Sequence, residues 1–275
     1  SRCQSCVSCP LRCPPTSVPV NRQIGNDAPG QVRLLENNPL TLDGGSIYQW
    51  RSTSSSGNIT DSEQNATRIS DRIAATISGF DLEKTKTFNR KYYHEYWFLW
   101  KETALILNYS NNTWYTYTNM PFVSMLEVDQ RTFGFTQEGK IKEVSRSYRN
   151  DDGEEISAYA ATGAMDFDRD WQLKYSPVIF VAIKPENNAR ITVTAESNRR
   201  SDYPDKVVAA SFASFTNVDF NHWSFLTNRK PQVERLKLKV KKATFYRLIF
   251  KSDSASATAT VLETDVQLRY AGNVK

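Results

Sequence analysis

Tyr92-Tyr-His-Glu-Tyr-Trp-Phe-Leu-Trp100, then Ala104-Leu-Ile-Leu-Asn-Tyr109, Asn111-Asn112 and Trp114-Tyr-Thr-Tyr117, decide the fold of this chain. The first run is aromatic on both of the faces that a strand would present. Aromatic and β-branched side chains suit a pleated surface, and a strand apolar on both sides is one covered on both sides. The second run is another strand, the asparagine pair supplies a turn, and the Trp/Tyr segment returns. Farther on, Arg131–Phe135 and Lys140–Val144 bracket Gln137-Glu138-Gly139, with glycine where a hairpin needs positive φ. Four or more antiparallel strands within about fifty residues match the size of one propeller blade.

Upstream, Ile47-Tyr48-Gln49-Trp50-Arg51 reads as a short strand and the polar stretch from Ser52 to Asn58 as a loop. Ile69, Ile73 and Ile77 recur every fourth residue with Gly79 just beyond, which predicts a helix of about ten to twelve residues. Residues 1–40 hold six of the eleven prolines and read as an extended arm with neither helix nor central strand. Val18, Val20, Leu34, Leu35 and Leu40 offer that arm apolar anchors on a neighbouring surface. Downstream, Asn150-Asp151-Asp152-Gly153 is the clearest turn. Beyond it the chain alternates through Val178–Ile183, Arg190–Ala195, Val207–Phe215, Val233–Val240, Thr244–Phe250 and Thr258–Arg269. That succession suits a sandwich.

The expectation is therefore an all-β chain: an extended Cys/Pro-rich arm (1–40), a partial propeller-like blade region with one short helix (41–150), and a C-terminal antiparallel β-sandwich (151–275). Residues 41–150 have room for at most about two blades, and a closed propeller needs about four. The missing sheets are expected from elsewhere, since open edges invite pairing. With Ser as the first residue, the expectation extends to a C-terminal fragment of a cleaved precursor, docked to its N-terminal part.

Composition narrows the function. Thirty-five basic against 30 acidic residues among 275 give a net charge of +5, too weak and too mixed for a dedicated nucleic-acid or membrane-surface protein. No apolar run reaches about 18 residues, so no membrane-spanning segment is expected. The two histidines, His94 and His222, are far apart in sequence, and no G-x-S-x-G, H-E-x-x-H or P-loop occurs. An enzyme is not expected.

Several motifs invite chemistry. Cys3, Cys6, Cys9 and Cys13, followed by Pro14, repeat the spacing of a ferredoxin cluster run, but a second cysteine set is missing. Zinc on four thiolates, two disulfides and free thiols stay open; no other cofactor is expected. Asp166-Phe-Asp-Arg-Asp170 begins like a calcium loop, but Trp171 and Pro177 stand where Gly and Glu are required. Leu236-Lys-Leu-Lys-Val-Lys241 alternates strictly, predicting a buried Leu/Leu/Val face and a solvated lysine face. Asn58, Asn65, Asn108 and Asn111 fit glycosylation sequons, which matter only in a chain secreted from a eukaryotic cell. A solvent-facing platform in Tyr92–Trp100 or Trp114–Tyr117 would instead mark a carbohydrate- or receptor-binding module.

Glu95-Tyr-Trp-Phe-Leu-Trp100, Ala104–Tyr109, Thr113–Tyr117, Phe133-Gly-Phe135 with Glu138-Gly-Lys-Ile141, and Thr162-Gly-Ala-Met-Asp-Phe167 follow one another in an order that resembles the C-terminal part of the tail nozzle, or muzzle, proteins of short-tailed bacteriophages, those of crAss-like phages in particular. The resemblance covers residues 92–275 and leaves out the cysteines. It implies a structural protein of the virion, assembled in the bacterial host cytoplasm. Its partners would be further copies of itself in a sixfold tube, other tail proteins, and the exiting DNA as a further contact. It transfers no catalytic residue.

Overall fold

The aromatic run does form a strand, and it lies in the middle of a stack of sheets. The computed structural model describes residues 24–28, 31–51, 66–186, 188–210, 230–252 and 254–273. It is all-β, built from antiparallel sheets that form no closed barrel among the described residues, and it divides into two compact units, Ser1–Ser145 and Arg146–Lys275.

The first unit stacks three meander sheets. In the first sheet, β1 (Arg33–Leu35), β2 (Asn38–Asp43), β3 (Ser46–Trp50) and β4 (Ala66–Arg68) run in sequence order. The second sheet is β5 (Lys86–Arg90), β6 (Glu95–Trp100), β7 (Thr103–Asn108) and β8 (Thr113–Tyr117). The third is β9 (Phe122–Val128), β10 (Arg131–Thr136) and β11 (Ile141–Val144). Local chemistry sets the hairpins. Glu36-Asn37, Gly44-Gly45 and Asp129-Gln130 are two-residue loops with positive φ at both positions, the geometry that matches strand twist. Gly139 takes φ +81° in the expected turn, and Asn112 takes +53° in the asparagine pair.

The second sheet is buried on both faces. Tyr96, Phe98, Leu105 and Leu107 point to one side and pack with Leu35, Leu40, Leu42 and Ile47 of the first sheet. Trp97, Leu99, Ala104 and Ile106 point to the other and pack with Phe122 of the third. Successive side chains of β6 thus feed two different cores, as period-2 geometry requires.

Three expectations need correction here. Residues 33–40 are not arm: they form β1 and enter β2, which has partners on both sides. Pro39 is tolerated because it stands opposite Leu34 and outside the β2–β3 register, which begins at Leu40–Gln49. That added meander raises the count to three sheets where at most two were expected. The helix is also shorter than the isoleucine spacing suggested: a 3-10 turn at Asp71–Ile73 and α1 (Ala74–Ile77). Ser70 does not cap it, because its Oγ accepts the Ile47 N–H at 3.0 Å, while Ile77 still reaches the core. Finally, Tyr92 and Tyr93 precede the strand in a 3-10 turn that ends at His94 in the left-handed region (φ +56°), and Tyr92 is exposed.

The second unit opens with the hairpin β12 (Asn150–Asp151) and β13 (Glu154–Glu155) around Asp152-Gly153, where the turn was expected. It continues through β14 (Ala158–Ala161), β15 (Gln172–Ser176), β16 (Ile179–Ile183), β17 (Ala189–Ser197) and β18 (Lys206–Ala210). After residue 229 come β19 (Gln232–Leu236), β20 (Val240–Ala243), β21 (Tyr246–Ser252), β22 (Val261–Val266) and β23 (Arg269–Asn273). One sheet has the order β14-β21-β17-β18. Facing it across the core are β19-β16-β22 and β20-β15-β23, three strands interrupted at one level. Lys239 N–H donates to Pro177 O and Gln267 N–H to Val178 O at that break. Two expected strands, Val233–Val240 and Thr258–Arg269, are therefore each split. The alternation survives the split: Leu236, Leu238 and Val240 are buried while Lys237, Lys239 and Lys241 are exposed.

Candidate assembly surfaces

The apolar side chains of β6 and β7 leave little for a ligand, so the informative groups are those that lock the sheets together and those left on the outside of the stack. Arg90 closes β5 and Glu95 opens β6, directly opposite in register. Both side chains are buried, and their ion pair spans 3.3 Å. Arg90 Nε donates to Thr132 Oγ1 at 2.7 Å and its Nη2 to Val144 O at 2.9 Å, so one guanidinium binds the second sheet to two strands of the third. Its carbon lies 3.8 Å from the Tyr93 ring centroid. Glu95 also accepts from Trp97 Nε1 at 2.9 Å and from the Tyr115 hydroxyl at 2.6 Å. Every strong polar group in the cluster thus has a partner, the condition under which a buried ion pair is tolerated.

Glu127 adds a second clamp. Its carboxylate accepts the Lys91 N–H at 2.9 Å and the Tyr92 N–H at 3.2 Å. Asn89 Nδ2 donates to Leu34 O of the first sheet at 2.7 Å, and Thr87 N–H donates to Oε1 of Gln31, just ahead of that sheet, at 2.9 Å. Gly134 explains the Phe-Gly-Phe pattern: a Cβ there would meet the Phe122 ring at 2.4 Å, so the ring rests directly on bare backbone.

The outward face of the third sheet is different. The registers place Val128 beside Arg131, Leu126 beside Phe133 and Glu143, and Ser124 beside Phe135 and Ile141. Leu126 is 49 % exposed and Ile141 64 %, while Phe133 and Phe135 are half-buried. Arg131 and Glu143 pair across this face at 2.8 Å. On the first sheet, Leu34 is exposed, and Pro39, Tyr48 and Trp50 are half-buried; Trp50 Nε1 donates to Thr41 Oγ1 at 2.8 Å. None of these residues belongs to the two cores of the unit. Sequence reading missed both faces, because an outward apolar row has the same composition as an inward one.

The other sequence candidates resolve as follows. Cys3, Cys6, Cys9 and Cys13 lie outside the described residues, as do His222, Asn58 and Asn65. His94 packs edge-on against Tyr109, and its carbonyl accepts the Tyr109 N–H at 2.9 Å. Asp166 Oδ1 accepts the Asp168 N–H in a local turn. Asn108 and Asn111 use their side-chain oxygens on Ser110 and Thr113 in the same way. Among the described residues, no group of three acidic, histidine or cysteine side chains could hold a metal ion. No described helix is long and apolar enough to cross a membrane. The two candidate aromatic platforms are largely spent on packing: Tyr96, Trp97 and Phe98 are buried, Trp100 stacks on Phe80 at 5.3 Å, and Trp114 stacks on Phe98 at 6.0 Å.

No protein-family model matches the chain, and no curated protein matches it.

Proposed function

We propose that this chain is a structural subunit of a phage tail nozzle. It assembles with copies of itself, in the sixfold arrangement implied by the family it resembles, into the distal conduit through which the genome leaves. The observation that carries the reading is the stack seen among the described residues: three blade-like sheets, the middle one sealed on both faces, the third with Leu126, Val128 and Ile141 exposed on its outward face, and the first with Leu34 exposed beside half-buried Pro39, Tyr48 and Trp50. A stack of this kind is finished by further sheets, and homo-oligomers supply them by repeating one contact around a ring. The work of such a subunit is done by buried interfaces. No catalytic role is proposed, and exiting DNA and other tail proteins are its remaining partners in this reading.

The test is location. Gold-labelled antibody raised against the full chain, applied to virions of the phage that encodes it, should decorate the tip of the tail. Label on the capsid, or virions of normal composition lacking the chain, would refute the reading.

A further inference from the structure

Among the described residues, the sheet β14-β21-β17-β18 ends in two edges that carry little charge and no proline. Natural edge strands are blunted by lysine, proline, bulges or a covering segment. Strand β14 reads Ala-Tyr-Ala-Ala, and all four of its residues are exposed, so neither of its faces is in a core. From Ile156 to Met165 there is no charged residue and no proline. At the opposite edge, β18 carries a single charge at its start, Lys206, and then reads Val-Val-Ala-Ala, with Val207 and Ala209 exposed. Among the described residues, no strand pairs with the outer side of either. The remaining edges of this unit's sheets carry charge: Glu234 and Arg235 on β19, Lys241 and Lys242 on β20, Glu263 and Asp265 on β22, and Arg269 on β23.

Hydrogen-bond parity shows which backbone groups are on offer. Thr162 N–H donates inward to Leu248 O at 3.0 Å. In an antiparallel ladder the alternate residues Tyr159 and Ala161 therefore turn their N–H and C=O away from β21. Pairing within the sheet is antiparallel throughout, so β14 and β18 run in opposite directions. Copies related by a simple rotation would thus bring β14 of one beside β18 of the next in antiparallel sense, and the alternation would continue unbroken across the junction.

We infer that β14 of one copy adds to β18 of its neighbour, joining the sandwiches into one continuous sheet around the assembly. The contact is heterologous, the kind that closes into a ring when the rotation permits. Apart from Tyr159 on β14 and Lys206 at the start of β18, the side chains of the two strands are small and uncharged, which allows a close approach without like-charge repulsion. The inference rests on the assembly reading above and adds to it a second contact between copies, made by the second unit.

Ala161→Pro tests it, because the lost N–H is one that points outward and no bond of the parent sheet is removed. Tyr159→Lys is the second variant, on a side chain that is 62 % exposed. The full chain and both variants are compared by light scattering across a concentration series, with circular dichroism to verify folding and hydrogen exchange at Tyr159 and Ala161. The expected result is assembly of the parent chain with both amides protected, and self-association weakened about tenfold or more in each folded variant. Val207→Lys should weaken it equally. Assembly unchanged in all three variants overturns the inference; if Leu126→Lys alone then disrupts it, the assembly reading stands and only this contact falls. Sensitivity to Tyr159→Lys but not to Val207→Lys, with particles of two chains, overturns it in favour of β14 pairing with itself. A parent chain that stays at 31.4 kDa throughout overturns both.

Discussion

Replacing Arg90 by methionine should destabilise the first unit more than any surface change, and the size of the effect follows from its surroundings. The side chain is 2 % exposed and its partner Glu95 is 1 % exposed, so neither recovers hydration when the other is removed. At 3.3 Å separation the gross attraction is on the order of 5 kcal/mol for an effective dielectric constant near 20. Loss of the bonds to Thr132 and Val144 adds orphaned acceptors in the same space. These contributions overlap, and breaking a buried pair from one side typically costs about 3–5 kcal/mol. For a unit of this size that corresponds to a fall in Tm of roughly 10 °C. Urea unfolding followed by tryptophan fluorescence measures it, since Trp97 touches Glu95 directly. Arg90→Met combined with Glu95→Gln should cost less than Arg90→Met alone, because the uncompensated carboxylate is gone. A single-variant cost below about 1 kcal/mol, or strict additivity in the double variant, would refute the reasoning.

Gly134→Ala forces a methyl group against the Phe122 ring and should cost about 1–3 kcal/mol; Phe122→Leu in the same chain should recover part of it in the same unfolding assay. Burial pushes the Tyr96 and Tyr246 phenols up to about 12, from 10.0. The folded state thereby favours their protonated form, so stability is intact below pH 10 and falls by about 2–3 kcal/mol per tyrosine as the pH climbs toward 12. Denaturant midpoints across that range, with tyrosinate absorbance, should show the two groups ionising last. Lys174 is buried and donates to the carbonyls of Arg169, Gln172 and Thr244. Lys174→Met should cost about 1–3 kcal/mol in the second unit by orphaning those acceptors, read as a loss in thermal midpoint.

Much of the architecture was legible because two signals were strong. The double-faced aromatic pattern of Glu95–Trp100 can be satisfied only by a strand sealed on both sides, and alternation at Leu236–Val240 survived even where the ladder breaks. Other elements were hidden by competition. Proline density argued against strands before residue 40, but Pro39 needs only a missing partner on one side. The isoleucine stripe at 69, 73 and 77 is real packing, yet the chain between those residues is partly a 3-10 turn because Ser70 bonds across to Ile47 rather than capping a helix. The assembly surfaces were least legible of all. Leu126 and Ile141 differ from core residues only in which side of a strand they occupy, and the charge-free edge at Ala158–Ala161 means something only once β14 is known to be an outer strand. Arg90 and Glu95 are five residues apart in an exposed-looking Lys/Arg/Tyr context, and nothing short of the register brings them together.

The central claim is that the exposed apolar row of the third sheet, Leu126, Val128 and Ile141, is covered by another copy. Its most direct measurement is the solution mass of the full chain beside that of Leu126→Lys with Ile141→Lys, two exposed positions whose replacement leaves both cores of the unit untouched. The account predicts defined multiples of 31.4 kDa for the parent and, for the folded double variant, a mean mass well below the parent's at the same concentration. A parent chain that remains single at every concentration, or a double variant that assembles as the parent does, would contradict it.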